Sequence, residues 1–197
     1  IGFVGGLWTI LRFATGQNKE KKNYQNFYTE FMETTLLEVI KKNIRLQLDA
    51  GAEVVMMFDS GLSSLDNDFF RGKYQLLLKN ISNSFPNKVG YYARGKKNDE
   101  ISYLSDLPFA GLGVDNGVDL QHIFLNSKFG FIQGNFNENH LLLDTKELEN
   151  ELNIYSNSMK NMANLNGWVC GLGHGINKVT PEKNVHLFIE TIRKKFN

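Results

Sequence analysis

The sequence predicts an α/β fold of parallel βα units, a (β/α)8 TIM barrel of which about six units are present, forming an incomplete barrel. Three observations predict it. Six short apolar runs, rich in Val, Ile and Phe and flanked by glycine, read as strands buried on both faces. Longer stretches of helical periodicity separate them, as parallel pairing requires. Six units and two more make the eight of a barrel. A doubly wound open sheet is the competing arrangement of the same alternation.

The strand-like runs are Gly2–Gly5, Glu53–Asp59, Lys88–Ala93, Phe109–Asp115, Phe129–Gly134 and Trp168–Gly173. The first helical region is Tyr24–Leu48, where Leu36, Leu37, Ile40, Ile44 and Leu48 form an amphipathic stripe and Gly51 supplies a stop. Leu65–Ser84 follows, with Phe69, Tyr74, Leu77 and Ile81 on one side. Asp99–Leu104, Asp119–Leu125, Asn139–Asn164 and Thr180–Phe196 fill the later gaps, and the last opens with Thr180 as N-cap and Pro181 at the first helical position. The charged stretches Gln17–Lys22 and Gly95–Glu100 read as solvated loops. The chain opens on Ile1, not on an initiator methionine, and Ile1–Gly6 reads as a core strand running into a glycine turn. Chain ends are normally exposed, so residues 1–197 are expected to be a single domain, the downstream portion of a longer protein.

Composition narrows the function classes. The 197 residues are 42% apolar and 22% charged, and 22 basic against 21 acidic side chains leave a net charge of +1. A nucleic-acid binder carries a basic excess that is missing here. No run approaches the ~18 apolar residues that span a bilayer. One cysteine, Cys170, excludes an internal disulfide, and without a visible signal peptide the expected compartment is the cytoplasm. An aromatic content of 12% and the lack of repeats exclude collagen, coiled coil and disorder.

In parallel α/β folds the chemistry collects where strands end. The downstream ends supply Gly5-Gly6-Leu7-Trp8-Thr9, Phe58-Asp59-Ser60, Arg94, Asp115-Asn116, Gly134-Asn135 and Gly173-His174-Gly175. His174 stands out: between two glycines the backbone can approach a ligand, and an imidazole with an ordinary pKa near ~6.5 can hold or give a proton. A histidine that only hydrogen-bonds a neighbouring loop is the plainer alternative, and Leu172–Gly175 as a phosphate nest is a third, although no P-loop lysine accompanies it. Ser60 lacks the Gly-x-Ser-x-Gly elbow of a hydrolase nucleophile and suits a hydrogen-bonding role, or a turn hydroxyl. Asp59 and Asp115 suit an acid, a base or an internal partner for Arg94. His122, His140, His174, His186 and Cys170 show no metal-ligand spacing, and Cys170 and Met56-Met57 read as core. No dinucleotide fingerprint occurs.

Taken in order, Gly-Phe-Val-Gly-Gly-Leu-Trp-Thr (2–9), Ala-Gly-Ala-Glu-Val-Val-Met-Met-Phe-Asp-Ser (50–60), Gln-Gly-Asn (133–135), Leu-Gly-His-Gly-Ile (172–176) and Thr-Pro-Glu-Lys-Asn-Val (180–185) resemble the uroporphyrinogen decarboxylase family over essentially the whole chain. The resemblance implies a (β/α)8 barrel, a homodimer and a cytoplasmic enzyme of porphyrin and haem biosynthesis that needs no cofactor and no metal. Its reaction removes carbon dioxide from the four acetate arms of uroporphyrinogen III, giving coproporphyrinogen III. It implies substrate contacts at Ser60 and His174, and at Phe13, where the family carries a tyrosine and this chain has lost the hydroxyl. Phe58 and Arg94 are further contact candidates, and Arg12, Lys96 and Lys97 are the other cations near strand ends. The family's proline after Gly-Gly is Leu7 here, its Asp-Pro after Gln-Gly-Asn is Asn137-Glu138, and Lys178 stands where proline is common. The arginine-bearing loop and the essential aspartate of the family are expected upstream of Ile1, so the chain alone is expected to be inactive. Two other readings compete. One is a non-catalytic tetrapyrrole-binding relative, with Phe13 marking lost activity. The other is a cobamide-dependent methyltransferase of the same fold, whose zinc-binding His-x-Cys has no counterpart in Tyr91-Tyr92-Ala93-Arg94-Gly95.

Overall fold

The structure is a computed structural model that describes residues 1–16, 30–162 and 164–196. Its strands are β1 (Gly2–Gly5), β2 (Val55–Asp59), β3 (Val89–Ala93), β4 (Gly111–Gly113), β5 (Phe131–Gln133) and β6 (Trp168–Val169). They form one parallel sheet in the order β1-β2-β3-β4-β5-β6. That order decides between the two candidate architectures. A doubly wound sheet reverses direction at a switch point, whereas here every strand lies beside its predecessor, as in a barrel. All six strands fall within the runs read from the sequence, β1 over the same residues and the other five with shorter hydrogen-bonded cores.

The helices are α1 (Leu7–Ala14), α2 (Leu37–Asp49), α3 (Gln75–Ser84), α4 (Asn98–Ile101), α5 (Leu120–Asn126), α6 (Thr145–Lys160) and α7 (Glu182–Phe196). The start of the predicted Tyr24–Leu48 helix and the Gln17–Lys22 stretch lie outside the described residues; a wide π-helical turn, Met32–Leu36, leads into α2. The expected stripe is buried at Leu36, Leu37, Ile40 and Ile44. Its stop is also as expected: Gly51, at φ 100°, adopts a conformation that costs other residues strain, and its N–H bonds the Leu48 carbonyl at 3.0 Å. The predicted Leu65–Ser84 helix is composite. A single turn, Asn67–Phe69, is capped by Asp66, and a π-helical turn, Phe70–Tyr74, joins it to α3. Asp119 caps α5 and Asp144 caps α6 through their carboxylates. A 3-10 turn, Glu138–Leu142, replaces the first part of the predicted Asn139–Asn164 helix.

Helix α1 is absent from the helical regions read from the sequence; it has no local start signal because its cap comes from Asp59, fifty residues downstream of Thr9. Two expectations are corrected. Thr180 does not cap α7, which begins at Glu182, and its buried Oγ1 has no hydrogen-bond partner among the described residues. The Gly95–Glu100 stretch is not simply solvated, because Lys96 and Glu100 are 3% and 7% exposed. The Lys96 ammonium bonds Asn67 Oδ1 at 2.6 Å, lies 3.4 Å from Glu100 Oε1 and sits 4.6 Å over the Phe70 ring.

Strand periodicity divides the sheet into two faces. Val4, Met57, Tyr91, Leu112 and Ile132 occupy one register row, all buried, and belong to one core with Ile40 and Ile44 of α2 and Leu77, Leu78 and Ile81 of α3. The other face carries Met56, Phe131 and glycines. Phe131 lies so close over Gly111 that a Cβ there meets its ring atoms. No helix among the described residues is long and apolar enough to cross a membrane. Gly111→Ala is expected to destabilise the fold by about 1–3 kcal/mol through overpacking, measured as a lowered denaturation midpoint with an unchanged m-value.

Candidate active site

On the glycine-bearing face, the row nearest the carboxyl ends of the strands is Gly5, Phe58, Tyr92, Gly113, Gln133 and Val169, each paired with the next. Four of these, Phe58, Tyr92, Gly113 and Gln133, line a cleft of about 410 Å³ together with Ser60, Val114 and the Leu172–Gly175 loop. One register row thus forms the floor, and the loops after β2 and β6 form the walls. Phe58 and Tyr92 meet with ring centroids 5.8 Å apart. Neighbouring strands present their alternate residues to the same face, so contributions from distant sequence positions converge.

The loop after β6 carries His174. Its main chain continues the sheet: the Phe136 N–H donates to the Gly171 carbonyl at 3.0 Å, and the Gly173 N–H donates to the Phe136 carbonyl at 2.7 Å. The Tyr92 hydroxyl donates to the Gly173 carbonyl at 2.7 Å. The main chain at Phe136, beyond β5, and a phenol from β3 therefore fix the segment next to the histidine. The imidazole is half-buried, and its ring is parallel to that of Tyr92 within 3°. Burial lowers its pKa below the usual 6.5, the Arg94 charge lowers it further, and Glu138 and Asp115 oppose the fall. At neutral pH the ring is therefore uncharged. Burial also pushes the Tyr92 phenol far above its ordinary range, so it remains a hydroxyl donor.

Ser60 is half-buried at the cleft edge, and Asp59 before it points the other way, into the core. The Asp59 carboxylate accepts from the Thr9 N–H at 3.0 Å, the Thr9 hydroxyl at 2.8 Å, the Tyr91 hydroxyl at 3.0 Å and the Tyr74 hydroxyl. It thus caps α1 and ties it to β3 and to the turn before α3. Burial raises its pKa while these hydrogen bonds pull it back. The Thr9 hydroxyl in turn accepts from the Gly61 N–H at 2.9 Å, which fixes the loop that carries Ser60. Neither aspartate read at the strand ends is the partner of Arg94. Asp115 accepts from the backbone N–H groups of Gly95 and Gly117 and links two loops. Asn135 likewise clips loops together, donating to the carbonyls of Asp115 and Val118.

The structure brings Phe58, Ser60 and His174 into one cleft. Phe13 lies on the exposed last turn of α1, 68% exposed, and neither it nor Arg94 is among the lining residues. Of the other cations, Arg12 donates to the Gly61 carbonyl at 3.3 Å, and Lys96 is spent on the buried contacts described above. Tyr92 and Gln133 were not singled out from the sequence, although period-2 alternation along β3 and β5 puts both on the face of Phe58. Cys170 follows β6 instead of lying in it and is half-buried, its thiol pushed up to about 12 by burial. Among the described residues, no three His, Cys, Asp or Glu side chains come close enough to hold a metal ion.

A family model for uroporphyrinogen decarboxylase matches residues 1–195. The chain belongs to the uroporphyrinogen decarboxylase family. It is 27% identical to the uroporphyrinogen decarboxylase of Orientia tsutsugamushi (strain Ikeda) over 208 aligned residues, covering 98% of this chain and 59% of that protein. It is 29% identical to the enzyme of that name from Prochlorococcus marinus (strain MIT 9515), with the same coverage. The chain thus spans about three-fifths of the length of these family members. Among solved structures, a methyltransferase from Methanosarcina mazei aligns over the whole chain and 58% of its own, with a TM-score of 0.73 and 18% identity, a likeness of fold. The barrel-like strand order agrees with the fold that this family resemblance implies.

Three outcomes follow from the geometry. Removing the Asp59 carboxylate leaves two buried phenols and the Thr9 donors unsatisfied, so Asp59→Ala is expected to cost about 3 kcal/mol or more of stability by denaturant titration. Because His174 has a lowered pKa, the unfolded chain takes up a proton there first, and its contribution to stability is lost as pH falls from 6.5 through the folded value. Arg94→Gln is expected to raise the His174 pKa toward 6.5, read by NMR titration of the imidazole protons.

Proposed function

We propose that this chain is part of a uroporphyrinogen decarboxylase, an enzyme that releases carbon dioxide from the four acetate side chains of uroporphyrinogen III to give coproporphyrinogen III in porphyrin and haem biosynthesis. In this reading it works as a cytoplasmic homodimer without a cofactor. The observation that carries the proposal is that Ser60 and His174, the two substrate-contacting positions the family resemblance retains, share one strand-end cleft. Ser60 supplies a hydroxyl donor and His174 a nitrogen that can take up a proton, both suited to a carboxylate-bearing ligand. The rings of Phe58 and Tyr92 give a pyrrole an apolar surface to lie against. Arg94, whose charge is felt at His174, offers a cation for one carboxylate.

Chemically, protonating a pyrrole carbon turns the ring into an electron sink. The carbon–carboxylate bond then breaks toward it and carbon dioxide leaves. Groups that hold the remaining carboxylates orient the reacting arm, which is the contribution assigned to Ser60 and His174. Phe13 gives a second reading its support: with an apolar ring where the family has a phenol, the protein binds the tetrapyrrole without turning it over.

Titration of the full gene product with uroporphyrinogen under anaerobic conditions, followed by chromatography of the oxidised products, tests both readings. Ser60→Ala and His174→Gln are each expected to weaken binding about tenfold, roughly 1.4 kcal/mol. Coproporphyrin among the products supports the decarboxylase, and binding without product supports the non-catalytic relative. No binding, or binding that neither variant weakens, overturns the assignment of this cleft.

A further inference from the structure

The Tyr92 hydroxyl has one proton and two neighbours. Its oxygen is 2.7 Å from the Gly173 carbonyl and 3.4 Å from His174 Nδ1. A carbonyl can only accept, so the phenol proton is committed to Gly173. Toward the imidazole the same oxygen has only lone pairs to offer. A hydrogen bond along that edge therefore requires the proton to reside on Nδ1. The two rings lie parallel within 3° at a centroid separation of 6.3 Å, and the Gly173 N–H is held by the Phe136 carbonyl at 2.7 Å, which fixes the main chain next to the histidine.

We propose that Tyr92 is a positioning residue that holds neutral His174 as its Nδ1–H tautomer and leaves Nε2 as a bare hydrogen-bond acceptor. The consequence deepens the carboxylate-binding reading above and rests on it. A carboxylate has no proton to give to a lone pair, so it engages Nε2 only after that nitrogen has taken up a proton from solution. A ligand N–H, in contrast, bonds Nε2 directly. Arg94 disfavours the proton uptake, while Asp115 and Glu138 favour it. Tyr92 thereby sets what His174 offers before any ligand arrives.

The test is a long-range 15N–1H correlation spectrum of the histidine side chains, recorded on the ligand-free protein above the His174 pKa. His174→Gln assigns the signal among the four histidines. The expected wild-type pattern is a pyrrole-type Nδ1 and a pyridine-type Nε2, and Tyr92→Phe is expected to shift the ratio to predominantly Nε2–H. A wild-type spectrum with Nε2 protonated overturns the proposal, as does a Tyr92→Phe spectrum identical to wild type. Should Tyr92→Phe not fold, the wild-type tautomer alone decides. No substrate enters this measurement, so its failure is separate from a failure of the uroporphyrinogen titration.

Discussion

A carboxylate shut away from water must find its donors within the protein, and the arrangement of the first three βα units depends on how Asp59 does so. No cation pairs with it among the described residues. Four hydrogen bonds come instead from Thr9, Tyr74 and Tyr91, which stand on α1, on the turn before α3 and on β3. Each partner belongs to a different element, so Asp59 fixes their mutual placement as well as capping α1. An anionic oxygen at a helix N-terminus is also favoured by the helix dipole. Tyr74 adds a further link by accepting the Trp8 N–H at 3.0 Å, leaving little of the first turn of α1 unsatisfied.

The same strand that buries Asp59 delivers the cleft. Phe58 projects to the glycine-bearing face, Asp59 to the core, and Ser60 stands at the point where the strand gives way to loop. Support and site are one residue apart because a strand alternates. The opposite wall is built differently. There the His174 loop extends the sheet beyond β6, through the Phe136–Leu172 bridge, and is pinned by Tyr92 of β3, three strands away in the sheet order. A site whose walls are fixed by separate hydrogen-bonded supports holds its groups at set positions, which favours binding with little reordering.

Much of this was legible in the sequence because parallel strands buried on both faces leave short apolar runs, and their downstream ends mark the working edge. The strand positions and the shared location of Ser60 and His174 follow from that pattern. What was not legible depends on partners far along the chain. Helix α1 begins with a glycine that has no side chain to cap it, and its cap lies at Asp59. Lys96 reads as a solvated charge until Asn67 and Phe70 are brought to it. Tyr92 looks like one more aromatic in a buried run, and only the arrival of the β6 loop gives its hydroxyl a carbonyl to bond. Thr180 shows the reverse failure: a sound local cap signal that the structure does not use, the helix starting at Glu182.

The electrostatics of the cleft add a constraint on what it can hold. His174, neutral at rest, has Arg94, Asp115 and Glu138 as charged neighbours, the first disfavouring its protonation and the other two favouring it. A hydrogen-bond donor serves a carboxylate only if its proton is on the correct atom. That places unusual weight on the short Tyr92–Gly173 bond. By committing the phenol proton to a backbone carbonyl, it decides which imidazole nitrogen keeps its own, and hence whether His174 meets a ligand as an acceptor or, once protonated, as a charged donor.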